Sequence, residues 1–256
     1  VEPTCGRGHF VCAAIAAFPN VKAVYGFDIN PQHVDEARNT VRNMARHHVH
    51  LECRNFFQID WAKFFMGLGK TILLIGNLPW VTNSALGAIG SLNLPEKTNF
   101  QGRNGFAAKT GKANFDISEW MLTRLVEALH RHSGCMAMLC KTATARKTLR
   151  QAWLNKLNIG RCSLHLIDAQ RHFGASVDAC LLILRTGMPE SNTTACVYPD
   201  LSFDGKITTI GLAGKELVAD INEYSRMRDI DGVSYYTWRS GVKHDAVGIM
   251  ELKREN

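Results

Sequence analysis

The chain has 256 residues, 46% of them hydrophobic, and a formal net charge of +7. This composition excludes a disordered chain and is sufficient for one large domain and the beginning of a second. No apolar run reaches the ~18 residues that a membrane span needs, and no signal peptide opens the chain. We therefore predict a cytoplasmic protein without a membrane partner. The positive charge favours a polyanionic partner, although solubility explains it equally well.

The eight cysteines are scattered without any Cys-x-x-Cys pair, which predicts free thiols in a reducing compartment. His47, His48 and His50 lie near Cys53 but lack the spacing of metal ligands, so we predict no metal site. The first residues resemble the middle of a strand-to-loop junction, which predicts that the sequence is a fragment.

Short β-branched runs alternate with amphipathic stretches along the first two-thirds of the chain. Strands are predicted at 21–28, 49–53, 71–77, 135–141, 162–169 and 177–185. Helices are predicted at 10–18, 31–46, 117–131 and 143–157. This alternation indicates a mostly parallel sheet covered on both faces. Only a short loop, 171–176, separates the last two strands, so they are expected to form an antiparallel hairpin.

Two stretches interrupt the alternation. Residues 81–114 are rich in Gly, Asn, Ser and Lys, and a loop of this length is usually functional or mobile. Residues 186–194 form a polar linker, after which the pattern changes to short strands and one helix. We therefore predict a catalytic domain at 1–186 and part of a smaller α+β recognition domain at 187–256.

A glycine-containing motif, Glu2-Pro3-Thr4-Cys5-Gly6-Arg7-Gly8, leads directly into the first predicted helix. Glycines there let the backbone and the helix amides approach a ligand. Asp28 ends the next strand, where a carboxylate can accept hydrogen bonds from ribose hydroxyls. The third glycine of the dinucleotide motif is absent, so a nucleoside cofactor fits better than a dinucleotide. A tight structural turn with a structural aspartate is the alternative.

Two further strands also end in candidate site residues. Asn55 and Phe56 follow the 49–53 strand and suit the edge and face of an adenine, but they also suit a turn and a core position. Asn77-Leu78-Pro79-Trp80 follows the 71–77 strand. Pro79 restricts Leu78 to an extended backbone, so Asn77 and Leu78 would present two acceptors beside the Trp80 ring. This arrangement fits an aromatic amine, although a purely structural turn could use the same residues.

Taken in order, these motifs resemble those of adenine-N6 DNA methyltransferases from restriction–modification systems. The resemblance runs from residue 1 to about 185, and residues 238–245 (WRSGVKHD) resemble a segment of the recognition region. It implies the class I S-adenosylmethionine-dependent fold, a Rossmann-like seven-stranded sheet whose last strand is antiparallel. It also implies S-adenosylmethionine as cofactor, DNA as substrate, a cognate restriction endonuclease as candidate partner and a prokaryotic source.

The resemblance also assigns roles residue by residue. The implied cofactor-binding residues are Glu2, Thr4, Gly6, Gly8, Asp28, Ile29, Asn55, Phe56 and Asn77. The implied catalytic residues are Asn77, Leu78, Pro79 and Trp80. The implied substrate-binding residues are Trp80, Phe173, Arg239 and Lys243.

Two features depart from this family. Asn55 stands where the family usually has an aspartate, with Asp60 as a substitute unless it belongs to the following helix. The segment that completes the methionine side of the cofactor pocket is expected upstream of residue 1. Three alternatives stay open: an rRNA adenine methyltransferase, a protein glutamine methyltransferase, and a DNA-binding module with a vestigial cofactor site.

Overall fold

The computed structural model describes residues 1–44, 48–69, 71–81, 116–188, 190–203, 205–233 and 235–237. Its helices are α1 (His9–Ala17), α2 (Pro31–Val41), α3 (Trp61–Leu68), α4 (Ile117–Leu129), α5 (Thr142–Leu154), α6 (Ala169–Phe173) and α7 (Ile221–Arg226). Short 3₁₀ turns occur at Arg42–Met44, Phe56–Gln58 and Arg228–Ile230. Its strands are β1 (Ala23–Asp28), β2 (His48–Cys53), β3 (Ile72–Asn77), β4 (Gly134–Lys141), β5 (Ile159–Ile167), β6 (Ala179–Thr186), β7 (Thr194–Tyr198), β8 (Thr208–Ala213) and β9 (Glu216–Val218).

The strands form two hydrogen-bonded groups. β1 and β2 pair in parallel, and the second group has the order β3-β4-β6-β5-β7-β8-β9. Val1 and Glu2 lie between the groups: the Ile75 N–H donates to the Val1 carbonyl at 3.0 Å, and the Glu2 N–H donates to the Tyr25 carbonyl at 2.8 Å. With these two residues counted as the central strand, β1 to β6 form the expected seven-stranded sheet.

The fold prediction is confirmed: the sheet is mostly parallel, and β6 runs antiparallel to both β4 and β5. Asn30 caps α2 as its sequence suggests, because its side chain accepts a hydrogen bond from the Gln32 N–H at 3.0 Å. The α-helix ends at Val41, earlier than predicted, and continues as a 3₁₀ turn.

The connection between the last two strands of the catalytic part differs from the prediction. Residues 171–176 were expected to be a loop, but α6 (Ala169–Phe173) occupies most of it. Asp168 caps this helix by accepting from the Arg171 N–H at 2.9 Å, and Gly174 ends it in the left-handed conformation. The five-residue helix was too short to produce a recognisable apolar periodicity.

Strands β7 to β9 extend the sheet that holds β3 to β6. β7 pairs with β5 in parallel, and β8 and β9 follow as antiparallel neighbours. The division into domains at 1–186 and 187–256 stays a prediction, and residues 238–256 lie outside the described part of the chain.

Two apolar cores hold helices against the sheet. A large one includes Leu74, Met136 and Leu164 together with residues of α3, α4 and α5. A smaller one packs α1 and α2 on β1 through Val11, Val34 and Val24. No helix among the described residues is long and apolar enough to cross a membrane.

The topology brings the carboxyl ends of β1, β3, β4 and β5 to one edge of the sheet. In open α/β sheets this is the edge at which ligands bind. The glycine-containing motif and Asn77 also lie at this edge, which is therefore the candidate site.

Candidate active site

Residues 2–8, here named the glycine loop, connect the Val1–Glu2 segment to α1. The loop lies against the end of β1, because the Cys5 N–H donates to the Phe27 carbonyl at 2.7 Å. The Gly6 N–H donates to Oδ2 of Asp28 at 2.9 Å. Asp28 therefore fixes the shape of the loop as well as ending the strand.

The two glycines of the loop have different surroundings. Gly6 has a φ of 51°, and a Cβ added to it would meet no atom within 4 Å. Gly8 has a φ of 83°, and its Cβ would lie 2.9 Å from the Cβ of Ala37 in α2. Gly6 thus borders open space, as a cofactor-binding residue must, whereas the observed constraint on Gly8 is helix packing.

Asp28 and Ile29 end β1 at the candidate site. The Asp28 side chain is 13% exposed, and its Oδ1 also accepts from the Asn30 N–H at 2.8 Å. His33 Nδ1 lies 3.6 Å from the same oxygen. A carboxylate has about four acceptor sites, so the two backbone donors and this histidine leave capacity for hydroxyl groups. Ile29 is half exposed and presents apolar surface beside it.

Glu2, the first residue of the glycine loop, is only 3% exposed. Burial raises the pKa of Glu2 to about 8, although a hydrogen bond from the Val11 backbone opposes the rise. Its Oε2 is buried without a hydrogen-bond partner among the described residues. Gly76 of β3 packs closely against it, since a Cβ there would lie 3.3 Å from Cγ of Glu2.

Asn55 and Phe56 follow β2 and have structural roles that the sequence left open. Asn55 accepts from the Phe57 N–H at 3.0 Å and so caps a 3₁₀ turn. Phe56 is 6% exposed, and its ring centroid lies 4.9 Å from that of Trp61. Asp60 caps α3 by accepting from the Lys63 N–H at 3.0 Å, so it belongs to the following helix, as weighed from the sequence.

Residues 77–81, here named the Asn77 turn, leave the carboxyl end of β3. Asn77 and Pro79 are exposed, Trp80 is half-buried, and Leu78 is 1% exposed. The Thr4 hydroxyl donates to the Asn77 carbonyl at 3.3 Å, which joins the turn to the glycine loop.

At the other end of the turn, the Ile117 N–H donates to the Val81 carbonyl at 2.9 Å.

The remaining predicted substrate residues are further along the chain. Phe173 is 54% exposed at the end of α6, so it does not pack beneath the connection that carries it. Arg239 and Lys243 lie outside the described residues.

Sequence reasoning missed a pair of charged residues beside the Asn77 turn. Lys141 Nζ lies 2.6 Å from Asp116 Oδ2 across the start of α4. Asp116 has the sequence context of a helix cap, because it precedes Ile117 and Ser118 at the start of an apolar pattern. Its partner Lys141 lies 25 residues later in the chain, so no local sequence pattern indicates this ion pair.

Within the described residues, no group of three or more His, Cys, Asp or Glu side chains is arranged to hold a metal ion. All eight cysteines are free thiols. The candidate site includes carboxylate, amide and hydroxyl side chains beside the aromatic ring of Trp80, and these groups suit ligand binding through hydrogen bonds and stacking.

Comparison with known proteins gives one curated relative of high similarity. The type II methyltransferase M.NspV of Nostoc sp. is 40% identical over 257 residues, which cover 100% of this chain and 53% of the relative. The chain thus spans about half the length of the curated relative that it matches. No protein-family model matches the chain.

A solved structure has the same fold at much lower sequence identity. A Listeria monocytogenes structure assigned to the class I S-adenosylmethionine-dependent methyltransferases has a TM-score of 0.51 at 13% identity, covering 78% of this chain and 58% of the other. A modification subunit assigned to a type I restriction enzyme of Vibrio vulnificus matches 93% of this chain and 49% of its own length, at 12% identity and a TM-score of 0.48. The chain is therefore a homologue of a type II methyltransferase and has the class I S-adenosylmethionine-dependent methyltransferase fold.

Proposed function

We propose that this chain forms the catalytic part of an enzyme that transfers a methyl group from S-adenosylmethionine to N6 of adenine in DNA. The observation that carries the proposal is the contact between two motifs: Thr4 of the glycine loop donates a hydrogen bond to Asn77 at 3.3 Å. A loop with the features of a nucleoside site thus adjoins a turn with the features of an amine site. The 40% identity to a type II methyltransferase supports the same reaction class.

The residues of the glycine loop and of β1 fit S-adenosylmethionine. Asp28 keeps acceptor capacity for ribose hydroxyls, Ile29 offers exposed apolar surface to an adenine ring, and Gly6 leaves open space beside both. Glu2 packs against Gly76, the residue before Asn77, and Thr4 donates a hydrogen bond to the Asn77 carbonyl. When bound, the cofactor supplies an electrophilic methyl group on a sulfonium.

Asn77 and Leu78 prepare the nucleophile in this proposal. The lone pair of the adenine amine is delocalised into the ring, so the amine is a weak nucleophile. Hydrogen bonds accepted by the Asn77 side chain and by the Leu78 carbonyl favour a more tetrahedral nitrogen whose lone pair is available. Pro79 holds Leu78 extended, and alignment supplies most of the remaining acceleration.

The target adenine leaves the duplex in order to reach the turn, at a cost of a few kcal/mol. Stacking on Trp80 from one side and on the exposed Phe173 from the other offsets part of that cost. Arg239 and Lys243 contact DNA phosphates. A restriction endonuclease with the same target sequence is the proposed cellular partner.

The test is methylation of duplex DNA by the full-length protein with isotopically labelled S-adenosylmethionine, followed by digestion and mass spectrometry of the nucleosides. Labelled N6-methyladenine is the expected product. Label on another base, or only in an RNA duplex offered in parallel, would overturn the adenine-DNA assignment. DNA binding without calorimetrically detectable cofactor binding would favour a DNA-binding module with a vestigial site.

A further inference from the structure

An ion pair lies next to the Asn77 turn but outside the proposed substrate contacts. Lys141 Nζ and Asp116 Oδ2 are 2.6 Å apart, and their side chains are 28% and 12% exposed. A charge-assisted hydrogen bond of this length is among the stronger kinds, and salt screens it less than an exposed pair. The pair is thus able to determine the position of the elements it joins.

Asp116 uses both carboxylate oxygens at the start of α4. Oδ2 binds Lys141, and Oδ1 accepts from the Ser118 N–H at 3.0 Å to cap the helix. The next residue, Ile117, donates its N–H to the Val81 carbonyl at 2.9 Å. The carboxylate therefore lies one residue from the hydrogen bond that holds the far end of the Asn77 turn.

Lys141 itself is attached to the rigid part of the sheet. It is the last residue of β4 and pairs with Ala179 of β6, and the following Thr142 N–H donates to the Asp178 carbonyl at 2.9 Å. β4 also neighbours β3, in the register that pairs Leu139 with Asn77. A continuous path of contacts thus leads from the end of β4, through Asp116 and Ile117, to Val81.

We propose that Lys141 is a positioning residue: through Asp116 and the Ile117–Val81 hydrogen bond it holds the Asn77 turn in place for the target amine. The effect of Lys141 on methylation rests on the proposed function, whereas its attachment of the Asn77 turn to the sheet does not. Loss of the lysine leaves the cap carboxylate without its counter-ion and weakens the attachment of the turn.

A general role in docking α4 on α5 is the rival explanation, and the chain offers a matched control for it. Lys147 Nζ of α5 lies 3.0 Å from Glu119 Oε2 of α4 and forms a second ion pair between these two helices. Substitution of either lysine by glutamine removes one positive charge from this interface. Only the Lys141 pair includes the carboxylate that caps α4 beside the turn.

The experiment compares Lys141→Gln, Lys141→Arg and Lys147→Gln in the full chain by two measurements. The first is hydrogen exchange of the Ile117 amide, which we expect to become about tenfold faster in Lys141→Gln. The second is steady-state methylation of DNA, for which we expect kcat to fall about tenfold while KM for the cofactor stays within about twofold. Lys141→Arg is expected to restore both, and Lys147→Gln to change neither.

The double variant Asp116→Asn/Lys141→Gln controls for misfolding of the single variant, in which Asp116 is left as an unpaired charge. The double variant leaves no unpaired charge at this position. We expect it to fold and to retain fast Ile117 exchange and low kcat. Equal effects of Lys141→Gln and Lys147→Gln would overturn the positioning role, as would unchanged Ile117 exchange. If the wild-type protein does not methylate DNA but Ile117 exchange is still fast in Lys141→Gln and normal in Lys147→Gln, the proposed function is refuted and the attachment of the Asn77 turn by Lys141 is retained.

Discussion

The glycine loop and the Asn77 turn meet at one edge of the sheet, but different kinds of interaction hold them. The glycine loop takes its shape from two backbone amides: Gly6 donates to Asp28, 22 residues away, and Cys5 donates to the Phe27 carbonyl. The Asn77 turn is held by Thr4, 73 residues distant, and by Ile117 on the other side of the long polar segment.

This difference shows how the sequence specifies the glycine loop and the Asn77 turn. The motif and the strand that follows it contain the two hydrogen-bond acceptors, Phe27 and Asp28, that shape the glycine loop. The turn contains the residues for the chemistry, but its position depends on α4 and β4, which follow it in the chain. We therefore expect changes in the turn to affect the reaction, and changes in the loop to affect cofactor binding and stability.

The sharpest test of this division is Asn77→Ala. Loss of the amide acceptor should lower the methylation rate by about a hundredfold or more, while the dissociation constant of S-adenosylmethionine changes by less than about threefold. Single-turnover methylation and calorimetry measure the two quantities. Asn20→Ala, at an exposed turn after α1, is the matched control. Parallel loss of binding and rate in Asn77→Ala would contradict the separation.

Glu2→Gln tests the loop side through folding stability. Burial raises the pKa of Glu2 from 4.5 to about 8, so the folded protein retains a proton that the unfolded chain releases above about pH 4.5. Stability from this group is present at low pH and lost as the pH rises towards 8. We expect the wild type to lose about 3 kcal/mol between pH 5 and pH 8 through this group, and Glu2→Gln to lack that loss.

Urea unfolding at both pH values, without cofactor, measures this effect. Glu36→Gln is the control, because Glu36 is half exposed and pairs with Arg7 on the surface. An identical pH dependence in the wild type and in Glu2→Gln would show that Glu2 is not the group responsible.

Asp28→Asn sharpens the comparison from the cofactor side. The amide retains one acceptor oxygen but directs an NH₂ group at Gly6 or Asn30, both of which donate backbone N–H groups to Asp28. We expect cofactor affinity to fall about tenfold by calorimetry, with little change in the rate at saturating cofactor. Asp35→Asn, at an exposed position of α2, should bind normally. A large loss of methylation rate with unchanged cofactor affinity would show that Asp28 acts in the reaction and not in cofactor binding.

Thr4→Val has the smallest expected effect, because it removes the one side-chain hydrogen bond observed between the two regions and keeps the shape of the side chain. An exposed hydrogen bond of 3.3 Å contributes about 0.5–1 kcal/mol, so we expect kcat/KM to fall about threefold. A double-mutant cycle with Lys141→Gln tests whether the two attachments of the turn act independently. An effect as large as that of Asn77→Ala would show that Thr4 takes part in the reaction itself.

Much of the fold could be predicted because strand and helix periodicities are local. All six strands predicted between residues 21 and 185 are present, and Asn30 and Pro31 start α2 where expected. α6 and the early end of α2 were missed because a five-residue helix has no periodicity and helix ends depend on packing. The three strands β7 to β9 continue the same sheet, which the change of pattern after residue 186 did not indicate.

The candidate site divides in the same way. The sequence by itself determined which residues stand at the strand ends: the glycine loop, Asp28, and the Asn77 turn. Only the tertiary structure decided that Phe56 is a core residue, that Glu2 is buried with a raised pKa, and that Lys141 reaches Asp116. Motifs record local backbone geometry, whereas burial and ion pairing depend on which distant strands and helices become neighbours, and no local pattern specifies that.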